Sequence, residues 1–164
     1  MLYQTINPYT EALVKTFPLH TDADVESILA RGEETYATDW SRRSTSTRSA
    51  IVRKAASILR EEIDDYAKLA TVEMGKLVRE AKWEIFMCAD ILEYFADNAG
   101  AFLAPEKVPV KSGEATIESA PLGVLFCIEP WNYPTINWPA SRDPTSCSAT
   151  PSFASTRQMC RSAL

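Results

Sequence analysis

The spacing of apolar residues changes along the chain, and each change marks an element. Tyr3-Gln4-Thr5-Ile6 and Leu13-Val14-Lys15-Thr16-Phe17 alternate about the turn-forming Asn7-Pro8-Tyr9-Thr10-Glu11, which predicts a short β-hairpin. Thr21 is suited to cap a helix with Asp22 and Asp24 in its first turn, and Val25, Ile28 and Leu29 follow at helical spacing. A first helix is predicted from about Asp22 to Ala37. Ser41 to Ser49 is polar, and from Ile51 the positions Ala55, Ile58, Leu59 and Ile63 share one helical face, giving a second helix. Asp64 to Met74 continues as a third, closed by Gly75 in the role of a left-handed terminator. From Lys76, residues Val78, Ala81, Ile85, Cys88, Leu92, Phe95 and Ala99 recur at three- and four-residue steps with no proline before Pro105, so one long helix is expected. Trp83, Phe86, Met87 and Tyr94 lie off that stripe, and core packing on a second side is their simplest role.

Beyond this helix the period shortens to two. Val108-Pro109-Val110, a turn at Lys111-Ser112-Gly113-Glu114, and Ala115 to Ser119 read as a hairpin over 108–119. Leu122 to Ile128 is continuously apolar between Pro121 and Pro130, as in a strand buried on both faces of a parallel sheet. The fold class is therefore α/β, with a largely helical first part. Past Pro134 neither period survives, and residues 135–164 hold six Ser, four Thr and three Pro but no Gly, Val, Lys or Glu. The charge changes as well, from −7 over residues 1–134 to +2 over 135–164. An irregular tail attached to a single domain over 1–134 is the expectation.

Charge and composition narrow the function. The net charge is −5 and no basic stripe appears, which argues against nucleic-acid binding. Met1 to Thr10 lacks the features of a secretory signal, and no apolar run nears the roughly 20 residues that span a bilayer, so a cytoplasmic protein without a membrane partner is expected. Cys88, Cys127, Cys147 and Cys160 form no CxxC pair and the one histidine, His20, is remote from them in sequence, so no metal site is expected. Cys88 and Cys127 lie in apolar runs and suit buried, free thiols.

Pro121-Leu122-Gly123-Val124 leading into Ile128-Glu129-Pro130-Trp131-Asn132-Tyr133-Pro134 resembles the PLGV strand and PWN(F/Y)P loop of the aldehyde dehydrogenase superfamily. It sits where a ligand site is favoured, past the carboxyl end of a buried parallel strand. Ile6-Asn7-Pro8-Tyr9-Thr10-Glu11 resembles the family's INPxTxE opening, with Glu11 one position before the acid of that pattern, and Glu73-Met74-Gly75-Lys76 resembles its EMGK segment, so the resemblance covers about Thr5 to Pro134. The EMGK spelling and Tyr94-Phe95-Ala96 are most similar to bacterial succinate-semialdehyde dehydrogenases.

The resemblance implies the N-terminal, largely helical part of a Rossmann-like NAD or NADP domain, cut short, with 108–119 belonging to the element that bridges subunits of a homo-oligomer. It also implies roles. Asn132, whose amide can donate two hydrogens from a loop held between prolines, would steady the oxygen of a small aldehyde as it becomes negative. Ile128, Pro130 and Trp131 would border the dinucleotide. Glu129 departs from the apolar residue common there. The family's glutamate base and nucleophilic cysteine lie beyond the stretch corresponding to Pro134, and Cys147 and Cys160 match no family motif, so this chain alone is expected to be inactive. The alternative is a non-catalytic helical assembly protein, which a titration with NAD(P)H would separate from the first reading.

The tail carries a second message. Reading each codon's third base with the first two of the next permits YYQLARVAGPNLM and then LGNAILRKHAPNVPQCA, which resembles the family's continuation after PWNYP, including its cofactor-contacting lysine. The junction of Trp138 and Pro139 can give only alanine. A one-nucleotide deletion at or next to the Pro134 codon is the expectation.

Overall fold

A computed structural model describes residues 3–130 and 132–137 and, as backbone, 152–156; the side chains at 126, 128 and 129 are outside that description. Strands β1 (Tyr3–Ile6) and β2 (Leu13–Phe17) form the antiparallel hairpin, with Tyr3 opposite Phe17 and a register shift between Thr5 and Ile6. Its turn is fixed by Asn7, whose side-chain oxygen accepts from the backbone N–H of Tyr9 at 2.9 Å and Thr10 at 3.1 Å.

Four helices follow. Helix α1 (Asp22–Thr38) opens with a capping box in which Thr21 Oγ1 accepts from the Asp24 N–H while Asp24 accepts from the Thr21 N–H. After a 3-10 turn at Trp40–Arg42 comes α2 (Thr45–Glu61), which starts six residues before the predicted Ile51. Ser44 is its cap, accepting from the Thr47 N–H, so the polar run contains a helix start rather than a linker. Helix α3 (Ile63–Met74) ends at Gly75 with φ of +70°, and α4 (Val78–Phe102) is the long helix.

Small residues bring these helices close. Val52 and Ala56 of α2 pack with Cys88, Ala89, Leu92, Ala96 and Ala99 of α4, and Ala67 and Ala70 of α3 with Ala81 and Ile85. Arg60 ties α2 to α4 by bonding Asp90 and Glu93 at 2.6 Å each, its guanidinium 4.5 Å from the Phe86 ring centroid. Trp83, Phe86 and Tyr94 are each more than half exposed, so a second packed side of α4 is not formed among the described residues.

The second hairpin pairs β3 (Glu106–Val108) with β4 (Ala115–Ile117), Val108 opposite Ala115. Its first strand ends where the sequence reading began it, because Pro109 has no N–H for the ladder. Strand β5 (Leu125–Glu129) begins three residues later than expected: Gly123, at φ +95°, breaks the extended path, and Leu122 is 81% exposed. Leu125 and Cys127 are half-buried rather than enclosed on both faces, since β5 has one neighbour among the described residues. That neighbour is β6 (Ser152–Thr156), paired in parallel with Leu125 opposite Ser152. The tail therefore differs from the irregular expectation over 134–137, a helical turn, and over 152–156. Open backbone groups of β5 favour any extended segment rich in Ser, Thr and Phe that can reach them. Among the described residues no helix is long and apolar enough to cross a membrane.

Candidate functional site

The site lies at the carboxyl end of β5, where the chain leaves the strand through Pro130 and turns into the helical residues 134–137. Proline at the start of a helical turn loses nothing, because its missing N–H would be unpaired there. Pro134 is buried, whereas Asn132 and Tyr133 are exposed, so the loop is rooted at one end and presents the Asn132 amide to solvent. Pro130 is also exposed and its carbonyl accepts from Asn137 Nδ2 at 2.7 Å, closing the loop on itself. The Asn137 N–H bonds the Tyr133 carbonyl at 3.0 Å. Of the other residues expected here, Ile128 is placed by its backbone, opposite Ser155, and Trp131 lies outside the described residues.

Two residues missed in the sequence root this loop. Glu84 of α4 is 1% exposed. Its Oε1 accepts from the backbone N–H of Thr135 at 2.8 Å, the Thr135 hydroxyl, and the N–H of Ile136 at 3.3 Å. Its Oε2 pairs with the ammonium of Lys76, which also stands 4.3 Å from the Tyr133 ring centroid. Both ends of the carboxylate are thus satisfied, as burial of a charge requires. A sequence signal existed: Glu84 is three residues after Ala81 and four before Cys88, and so falls on the buried stripe.

Lys76 is held by Gly75, and Gly75 by the first hairpin. A Cβ at Gly75 would stand 3.1 Å from Pro8 Cγ, so the Asn7-Pro8 turn packs against the end of α3. Neither Cys88, which is buried in the helical core, nor Cys127, half-buried in β5, belongs to this loop; Cys147 and Cys160 lie outside the described residues.

Residues 1–141 match the model of the aldehyde dehydrogenase family. The chain is 46% identical over 132 residues to the succinate-semialdehyde dehydrogenase [NADP(+)] of Deinococcus radiodurans, covering 80% of this chain and 28% of that protein. It is 38% identical to succinate-semialdehyde dehydrogenase [NADP(+)] 1 of Mycobacterium tuberculosis, over 84% of this chain and 30% of that protein. The crystal structure of succinic semialdehyde dehydrogenase from Streptococcus pyogenes in complex with NADP+ superposes with a TM-score of 0.88 at 35% identity, over 93% of this chain and 33% of that one. The chain spans about a third of the length of these relatives, and its helices and small sheets match the N-terminal part of their domain. By sequence and by fold, the chain belongs to the aldehyde dehydrogenase family.

Proposed function

We propose that residues 1–134 are the first part of the cofactor domain of an enzyme that oxidises a small aldehyde, foremost succinate semialdehyde, to its carboxylic acid with NADP+ or NAD+. The observation that carries this is the exposed Asn132 on a loop rooted by buried Pro134 and Glu84 just past the carboxyl end of a parallel strand. Two curated relatives bear that activity in their names, and NADP+ is bound in a structural neighbour. The open carboxyl end of β5, with Pro130 exposed, suits a dinucleotide; Ile128, Pro130 and Trp131 would hold it, and it supplies the hydride acceptor. Asn132 donates its amide hydrogens to the aldehyde oxygen as charge develops, a contribution of about 3 to 4 kcal/mol for one such donor. The hairpin over 108–119 serves assembly of a homo-oligomer in the cytoplasm.

Asn132 alone does not make an enzyme, since attack on the aldehyde needs a nucleophile and a base that no matched motif of this chain supplies. A polypeptide of these 164 residues therefore does not turn over, and the reason lies in the reading frame after Pro134. Every junction from Pro134–Thr135 to Ala163–Leu164 permits the family-like residue when read one base earlier. At three junctions the genetic code leaves no choice: Asn137–Trp138 gives only leucine, Trp138–Pro139 only alanine and Met159–Cys160 only valine, and all three agree. The restored segment ILRKH falls on residues 152–156, the positions of β6 beside β5.

Inserting one nucleotide at the Pro134 codon and assaying the extended product tests both halves. Oxidation of succinate semialdehyde in preference to other aldehydes, with none from the 164-residue chain, is expected. A gene whose shifted frame does not encode that continuation, or turnover that tracks the purified 164-residue chain, would overturn the reading.

A further inference from the structure

We propose that Glu84 is the positioning residue of the Asn132 loop, with Lys76 as its counter-ion, so that a carboxylate inside the helical body sets the geometry of the loop beyond β5. The role of Asn132 itself rests on the function proposed above; the rooting of the loop does not.

A helical turn leaves its first N–H groups without intrahelical partners, and the residue just before the turn commonly supplies the acceptor. Over 134–137 the cap comes instead from 51 residues upstream: one carboxylate oxygen of Glu84 receives the N–H groups of Thr135 and Ile136 together. A remote cap does what a local one does not, because it fixes the turn relative to α4 as well as stabilising it. The second oxygen, paired with Lys76, keeps the carboxylate from rotating. Lys76 meanwhile places its ammonium over the ring of Tyr133, the neighbour of Asn132. Tyr133, Thr135 and Ile136 are thereby held by Glu84 and the part-buried Lys76, with buried Pro134 limiting the backbone between the first two.

The energetics favour position over stability as the reason for this pair. Replacing a buried ion pair by apolar side chains of similar volume is often neutral or stabilising, so a core needing only cohesion has no use for Glu84. The two backbone donors survive any change at 135 and 136 except to proline, so the contact also fits the frame-restored sequence, which has Tyr at both positions.

Hydrogen exchange of individual amides in the 164-residue chain tests this, comparing the parent with Glu84→Gln, Glu84→Met and the double variant Lys76→Met/Glu84→Met. Bonds to a charged acceptor predict that the amides of Thr135 and Ile136 exchange about ten- to a hundredfold faster in the Met variants. Glu84→Gln, which keeps a side-chain oxygen, is expected to recover most of that protection while α2 and α4 amides stay as in the parent. Parent-like exchange at 135 and 136 in the double variant would overturn the proposal. So would an equal loss of protection throughout α3 and α4 in both Met variants, which would make Glu84 a folding residue. In the frame-restored enzyme Glu84→Met should lower kcat about tenfold with KM little changed, a positioning effect on the developing charge. A frame-restored parent that oxidises no aldehyde would sink the functional reading alone, leaving the exchange result to decide on Glu84.

Discussion

Gly75→Ala tests the left-handed stop of α3 that precedes Lys76. Gly75 stops α3 at φ +70°, and its missing Cβ is the space into which Pro8 packs. An alanine held in the left-handed region costs about 1 to 2 kcal/mol. Its Cβ would also meet Pro8 Cγ at 3.1 Å, close enough that the turn must retreat by a few tenths of an ångström. Against these, alanine restricts the unfolded chain and returns about 0.4 to 1 kcal/mol. The net loss is about 1 kcal/mol, and with a urea dependence of about 2 kcal/mol/M the unfolding midpoint falls by about 0.5 M. Pro8→Ala separates the two costs, since in that background Gly75→Ala retains only the backbone strain. Lys76 follows directly in sequence, so exchange at 135 and 136 should rise in Gly75→Ala as well. An unchanged midpoint would refute the left-handed terminator, and full recovery in the Pro8→Ala background would show that the cost is contact and not strain.

Ala89→Leu should destabilise by about 1 to 3 kcal/mol in the same urea titration, because Ala89 is 0% exposed where α2 crosses α4 and has no room for added methylenes; a neutral result would mean that the helices are not in contact there. Asp24 sits below its ordinary pKa of 3.8, chiefly because the Thr21 N–H, and then its hydroxyl, bond the carboxylate. The stabilisation is therefore present above about that pH and lost as pH falls through the lower folded value, so acid should fray α1 in the parent more steeply than in Asp24→Asn, and parallel circular-dichroism titrations would contradict this. Cys88, 1% exposed, should resist alkylation until the chain unfolds, whereas half-buried Cys127 reacts earlier; mass spectrometry of labelled peptides reads the order, and early labelling of Cys88 would contradict the core.

What the sequence revealed depended on how local each cause was. Helices α1, α3 and α4 were legible because their caps and stripes lie within each element: Thr21 with Asp24, Gly75, and the Ala81 to Ala99 spacing. The start of α2 was obscured because its first turn is polar, with Ser44 as cap and Arg48 and Ser49 buried, so that an apolar stripe alone dates the helix too late. The second hairpin was legible, with its second strand inside 115–119, but its first strand lies two residues earlier than the alternation suggests, because Pro109 cannot join a ladder. At the site, the loop was legible from its prolines and Asn132, whereas Glu84 was not, because a carboxylate is rarely buried unless it is paired. Burial of a carboxylate is decided by partners at 76, 135 and 136, and no periodicity reports partners so far apart.

Those partners also connect three short stretches scattered over most of the chain. The INPYTE turn brings Pro8 against Gly75; Gly75 frees the chain to turn so that Lys76 reaches Glu84; Glu84 holds the residues that follow Asn132. Each link is a contact between residues far apart along the chain or on different elements. A larger residue at 75 is felt at Pro8 and passed to Lys76, and loss of the acid at 84 strands a half-buried ammonium and frees the loop together. The turn of the first hairpin, the end of the third helix and the middle of the fourth thus form one chain of contacts to the residues that follow Asn132.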